Sequence, residues 1–83
     1  MSQYTIEETT TTVRKIIAEI LKIDPSTISL NSTFDTLGAD SLDMLQIIMK
    51  LEDTFGIEIS DEVATSIKTV GQAIDAIQKM RTK

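Results

Sequence analysis

Apolar residues recur at intervals of three and four in three stretches of the sequence, and this spacing limits the fold more than any other feature. Over residues 13–21, the apolar positions follow the i, i+3, i+4, i+7, i+8 pattern of one helix face. The same spacing returns over residues 44–55 and 70–80. No stretch alternates apolar and polar residues for long enough to predict a β-sheet. The sequence therefore predicts an all-α protein.

Polar residues at the ends of these stretches predict where the helices begin and end. Thr5, Asp40 and Thr69 each precede a helix and have an acidic or amide residue three positions later, which is the pattern of a capping box. Gly56 is placed to end the second helix in a left-handed conformation. We expect one domain over residues 1–83, a small four-helix bundle with three longer helices and a short third helix. The predicted helices span about 5–22, 41–55, 60–67 and 69–81.

Two segments carry weaker or irregular signals. The threonines at 9–12 are β-branched, so they weaken the first helix at its beginning and favour a ragged or later start. An Asp-Pro pair at 24–25 predicts one short helical turn after that helix. The polar loop that follows contains Ile28, Leu30 and Phe34, and we expect their side chains to anchor it to the core.

The composition excludes several kinds of function. The chain has no cysteine and no histidine, which excludes disulfides, thiolate or imidazole metal sites, and Ser-His or Cys-His catalysis. A net charge of −5, with one tyrosine, two phenylalanines and no tryptophan, is unfavourable for nucleic-acid binding. No apolar run reaches the roughly 20 residues of a membrane span, and the N-terminus lacks a signal-peptide pattern. We expect a cytoplasmic protein that binds no metal.

The acidic residues are concentrated in the middle of the chain. Residues 35–62 contain eight acidic residues and one basic residue, Lys50, whereas the remainder carries a net positive charge. Such a stretch is usually a solvated surface, but it also suits docking to a basic partner.

The second predicted helix has two apolar stripes where a helix in a small bundle needs one. The stripe expected to face the core consists of Met44, Ile47, Ile48, Leu51 and Phe55. The docking stripe, as we call the second one, consists of Leu42, Leu45 and Met49. It predicts either a helix that is buried on most sides or an exposed surface for partners. Because this stripe is small, we expect a monomer.

Ser41 lies at the predicted start of this helix, after Gly38 and Asp40. A serine there is often only a residue of the first helical turn. Residues 38–42 do not match the G-x-S-x-G motif of a catalytic serine, and no histidine is available to activate the hydroxyl. We therefore expect that the protein is not an enzyme. The alternative is attachment of a phosphate-containing group by another enzyme, because a helix N-terminus favours phosphate.

The segment 37–43, LGADSLD, resembles the 4′-phosphopantetheine attachment motif of acyl carrier proteins. The resemblance covers about residues 13–78, through 47–49, 51–53, 55–59, 61–62 and 67–70. It is closer to the free-standing carriers of type II fatty-acid synthesis than to peptidyl carriers, which usually have a second glycine where this chain has Ala39.

This resemblance implies that Ser41 carries a covalent 4′-phosphopantetheine arm, transferred from coenzyme A by a phosphopantetheinyl transferase. The thiol of the arm would hold growing acyl chains as thioesters. The implied partners are ketosynthases, reductases, dehydratases and acyltransferases of fatty-acid synthesis that have basic docking patches. The implied docking residues are Asp40, Leu42, Asp43, Leu45, Met49, Glu52, Asp53, Asp61 and Glu62. The implied acyl-chain cleft is lined by Ile47, Ile48, Ile59, Ala64 and Ile67.

Four positions depart from the usual pattern of these carriers. Gln46 and Thr54 replace acids that are common there, Lys50 replaces a small residue, and Ser60 replaces a proline. Because surface charges mainly change association rates, these departures concern partner choice rather than attachment. Two alternatives stay open: a carrier dedicated to a specialised polyketide or lipid-modification pathway, and an acidic helical adaptor that acts without modification.

Overall fold

The computed structural model describes residues 5–81, and α-helices account for most of this range. Helix α1 spans Ile6–Leu21, α2 spans Ser41–Phe55, α3 spans Asp61–Ser66 and α4 spans Val70–Arg81, with a 3₁₀ turn at Pro25–Thr27. Between residues 5 and 81 there is no β-strand, only one isolated antiparallel bridge. The predicted all-α bundle with a short third helix is confirmed. Residues 1–4 and 82–83 of the predicted domain lie outside the described range.

One apolar core joins the helices, and α1 packs against both α2 and α4. Ile17, Ile47 and Ile77 come from three different helices, and each is fully buried. Burial of a side chain of this size stabilises the fold by roughly 1.5–3 kcal/mol. The other buried apolar side chains are Val13, Ile16, Ala18, Ile28, Phe34, Leu51, Ile59, Ile67, Val70, Ala73 and Ile74. Among the described residues, no helix is both long and apolar enough to cross a lipid bilayer.

Side-chain caps begin the first and last helices as the sequence predicts. At α1, Thr5 Oγ1 accepts a hydrogen bond from the Glu8 N–H at 3.1 Å. At α4, Thr69 Oγ1 accepts from the Gln72 N–H at 3.1 Å, and Gln72 Oε1 accepts from the Thr69 N–H at 3.1 Å. These bonds satisfy backbone donors that have no partner within the helix.

The threonine segment 9–12 lies inside α1, so the expectation of a ragged or later start is wrong. Thr9 is fully buried, and its hydroxyl donates to Gln78 Oε1 and accepts from the Arg81 guanidinium of α4. The Thr10 hydroxyl donates to the Ile6 carbonyl at 2.6 Å, one turn back. Contacts with α4 therefore offset the weak helix propensity of these residues.

The segment between α1 and α2 begins with the predicted helical turn. The Asp24 carboxylate accepts the Ser26 N–H at 2.9 Å. This backbone hydrogen bond, with a smaller contribution from the Ser26 side chain, lowers the pKa of Asp24 below its ordinary value. The turn is thus capped by a carboxylate that is stabilised in its charged form.

The rest of this segment is fixed to α4 through its backbone as well as through its side chains. Ile28 and Phe34 are buried, as predicted, but Leu30 is 51% exposed, so the prediction that its side chain anchors the loop is wrong. Its carbonyl instead accepts the Gly71 N–H at 2.9 Å. A Cβ atom at Gly71 would lie 3.0 Å from that oxygen, a tight contact that glycine avoids.

Candidate functional site

Ser41 is the first residue of α2, and the residue before it caps the helix. Asp40 has an extended backbone, and its Oδ1 accepts the Asp43 N–H at 2.8 Å. Asp43 Oδ2 in turn accepts the Asp40 N–H at 3.2 Å. The predicted capping box is therefore complete without the serine hydroxyl. Ser41 is exposed, and its hydroxyl has no hydrogen-bond partner among residues 5–81.

A tight turn before α2 sets the position of this cap. Gly38 has a left-handed φ of +87°, a conformation that glycine adopts without strain. The Ala39 N–H donates to the Phe34 carbonyl at 3.0 Å, and the Gly38 N–H donates to the Asp35 carbonyl at 3.1 Å. Because Phe34 is buried, the turn that presents Ser41 is fixed to the core.

The two apolar stripes of α2 have different environments. Ile47 and Leu51 on the core stripe are buried. On the docking stripe, Leu42 is 66% exposed, Leu45 is 55% exposed and Met49 is 58% exposed. The docking stripe therefore faces solvent, which excludes a helix that is buried on most sides. Its use by partners stays a prediction.

The acidic residues predicted for docking do not all have the same environment. Asp40, Asp53, Asp61 and Glu62 are exposed, with the last two in the first turn of α3. Asp43 is half-buried in the capping box.

Glu52 contributes to the structure of the site as well as to its charge. It is half-buried, and its Oε2 accepts the Ile59 N–H at 2.7 Å, which holds the segment after α2 against that helix. Sequence reasoning missed this contact, because the two residues belong to different segments and neither shows a local pattern.

A cavity of about 480 Å³ opens beside Ser41, between α2 and α3. Its apolar lining consists of Met44, Leu45, Ile48, Ile59, Ala64 and Ile67. Its polar lining consists of Ser41, Asp61, Thr65 and Lys68.

The structure brings together four of the five residues predicted for the cleft, namely Ile48, Ile59, Ala64 and Ile67. Ile47 does not line this cavity. It is fully buried in the core, because one residue along a helix turns the side chain by about 100°. Met44 and Leu45 were not predicted for the cleft, although Met44 shares a helix face with Ile48. Lys68 and Thr65 had no signal in the sequence.

The arrangement presents an exposed hydroxyl at a helix N-terminus. The chain contains no histidine, so it has no Ser-His pair. Ser41 lies where the first-turn N–H groups and the helix dipole favour a negatively charged group. An exposed hydroxyl, a helix N-terminus and an adjacent, mainly apolar cavity together fit a phosphate-linked arm that carries an apolar group.

A comparison with protein-family models agrees with this chemistry. A model described as "Phosphopantetheine attachment site" matches residues 11–77, and the chain belongs to this family of phosphopantetheine-carrying proteins. The family is defined by covalently attached 4′-phosphopantetheine, which is therefore the cofactor. Carrier domains of this kind interact with a phosphopantetheinyl transferase and with the enzymes that act on the attached group.

Proposed function

We propose that this protein is an acyl carrier protein in which Ser41 holds the 4′-phosphopantetheine arm, and that it delivers acyl chains to the enzymes of fatty-acid synthesis. The observation that carries the proposal is the position of Ser41. Its hydroxyl is exposed and left out of the capping box, and it borders a mainly apolar cavity of about 480 Å³. The protein acts as a carrier in this proposal, not as a catalyst.

The attachment step is carried out by the transferase on coenzyme A. Ser41 Oγ bonds to the pyrophosphate phosphorus on the pantetheine side, and the bond from that phosphorus to the bridging oxygen breaks. Adenosine 3′,5′-bisphosphate leaves, and the serine proton passes to a base of the transferase. The Asp40–Asp43 box holds the hydroxyl at the helix start without taking it as a hydrogen-bond donor.

When bound, the arm supplies a terminal thiol that holds acyl groups as thioesters. The contribution of this chain is shelter for the apolar part of the cargo. Ile48, Ile59 and Ile67 line the proposed cleft, and burial of each methylene there stabilises the sheltered state by about 0.8 kcal/mol.

The docking stripe and the acids around it suit partners that have a basic, partly apolar surface. Leu42 and Met49 give contact area, and Met49 can adapt to more than one partner. Asp53 and Glu62 are exposed and would steer a basic surface towards α2 and α3.

A carrier dedicated to a specialised pathway is the second candidate. A surface depression of about 700 Å³ favours it. This depression is lined by Gln46, Met49 and Lys50 among others, and at Gln46 and Lys50 the chain departs from the usual pattern of these carriers. A cytoplasmic location and a monomeric state stay predictions from the sequence.

The test is acyl transfer by housekeeping fatty-acid enzymes, with Leu42→Gln and Leu30→Gln as a matched pair. Both leucines are exposed, at 66% and 51%, but only Leu42 belongs to the docking stripe. Intact-mass measurement first establishes that every protein carries the arm. We then expect Leu42→Gln to lower kcat/KM about tenfold, as loss of a central apolar contact does. Leu30→Gln should match the unsubstituted protein.

The outcomes separate the candidates. Loading without acylation by housekeeping enzymes would favour the specialised carrier, and equal losses in both leucine variants would contradict the docking stripe. An unmodified adaptor requires that Ser41→Ala leaves function intact.

A further inference from the structure

Lys68 is the basic residue that lines the cavity beside Ser41. It follows α3 and also lines a second cavity, of about 470 Å³, with Asp35 and Ala39. Lys68 therefore lies where the turn before α2 and the segment before α4 come together.

The backbone of Lys68 is held in place, whereas its side chain is exposed. Its N–H donates to Gln72 Oε1 at 2.7 Å, and its carbonyl accepts the Phe34 N–H at 3.1 Å. The ammonium has no carboxylate partner within ion-pair distance among residues 5–81. A cation on an anchored backbone, without an ion pair among residues 5–81, suits binding of an anion that arrives later.

The region around Ser41 is acidic, so an anion bound there needs a countercharge. Residues 35–62 carry eight acidic residues and one basic residue. A phosphodiester on Ser41 would add a further negative charge next to Asp40 and Asp43. Lys68 is the countercharge on the wall of the same cavity.

We propose that the Lys68 ammonium binds the phosphodiester anion of the arm on Ser41 and holds the arm over the cavity between α2 and α3. This inference rests on the proposed attachment at Ser41. It makes Lys68 a positioning residue, one that shifts the arm from solvent towards the apolar wall formed by Ile59 and Ile67. An exposed ion pair supplies up to about a fivefold change in the bound population.

The experiment uses the loaded protein of residues 1–83 with Lys68→Gln, Lys68→Arg and, as a matched control, Lys50→Gln. Lys50 is exposed on α2 and borders a different surface depression. Intact mass first establishes loading of every variant. NMR then records the ³¹P shift of the phosphodiester and the NOEs between the Lys68 side chain and the arm methylenes.

We expect NOEs from Lys68 to the arm in the unsubstituted protein, and a displaced ³¹P resonance in Lys68→Gln. Lys68→Arg should keep most of the original shift, and Lys50→Gln should keep all of it. The role of Lys68 is overturned if the fully loaded protein shows none of these NOEs. It is also overturned if Lys50→Gln displaces the ³¹P resonance as far as Lys68→Gln does. If the unsubstituted protein does not take up the arm, the result contradicts the proposed function itself rather than the role of Lys68.

Discussion

At the scale of single residues, the environment of Ser41 follows from its neighbour. Asp40 satisfies the free N–H of Asp43, so the helix does not need the serine hydroxyl. An aspartate cap also adds favourable charge at the positive end of the helix dipole. The hydroxyl is thereby left at the surface beside the cavity, where a transferase can reach it.

Glu52 is the residue whose structural role is most easily tested. We expect Glu52→Ala to lower the free energy of unfolding by about 1–3 kcal/mol, because the Ile59 N–H loses a charged acceptor in a half-buried position. Glu52→Gln keeps an acceptor oxygen and should lower the free energy of unfolding by less. Urea unfolding at neutral pH measures both changes, and amide hydrogen exchange at Ile59 locates them.

The neighbouring acid provides the control for this substitution. Asp53 is exposed and accepts no hydrogen bond within the described part of the chain, so Asp53→Ala should change stability by less than about 0.5 kcal/mol. Equal losses for Glu52→Ala and Asp53→Ala would mean that the bond to Ile59 contributes nothing specific.

At the scale of elements, α1 and α2 end in the same way with different residues. Gly56 closes α2 at φ +65°, and Lys22 closes α1 at φ +59°. The left-handed conformation costs an L-residue roughly 1–2 kcal/mol, whereas glycine adopts it freely but loses about 0.5–1 kcal/mol more backbone entropy on folding. We expect Lys22→Gly to stabilise the protein by about 0.5 kcal/mol in thermal or urea unfolding.

Lys22→Ala is the matched control, since alanine also loses the lysine side chain but keeps a Cβ atom. It should give no stabilisation. If both variants gain equally, the effect belongs to the lysine side chain and not to the left-handed backbone at the end of α1.

Local patterns were enough to predict much of the site. The Asp40–Asp43 box joins residues three apart, and the docking stripe follows from helical spacing, so both are visible in the sequence. Whether that stripe faced solvent could not be predicted, because exposure depends on where α1 and α4 pack.

Contacts between distant segments account for the parts that the sequence did not predict. Thr9 is helical and buried because α4 supplies Gln78 and Arg81 as partners. Leu30 anchors its loop to α4 through its carbonyl rather than its side chain, because Gly71 allows close approach of the two backbones. The bond between Glu52 and Ile59 is likewise invisible until the chain is folded.

At the scale of the whole molecule, the charge distribution bears on partner choice. The acidic segment includes α2 and the start of α3, and Lys50 is its basic exception. With a basic partner, removal of Lys50 should increase electrostatic steering.

We expect Lys50→Ala to raise kcat/KM with a housekeeping acyltransferase by roughly two- to fivefold at low salt, the range of an exposed charge interaction. The gain should disappear at about 1 M salt, where the Debye length is only about 3 Å and charges on the two surfaces are screened from each other. Lys15→Ala, at an exposed lysine of α1, is the control and should have little effect. A gain that is independent of salt, or that Lys15→Ala reproduces, would contradict docking through α2.

Ser41 is the proposed point of attachment. Intact-mass measurement after incubation with coenzyme A, Mg²⁺ and a phosphopantetheinyl transferase tests this proposal. The unsubstituted protein and Ser66→Ala, which alters another exposed serine, should each gain the mass of one phosphopantetheine group. Ser41→Ala should gain none. No addition to the unsubstituted protein, or an addition that survives Ser41→Ala, would contradict the claim.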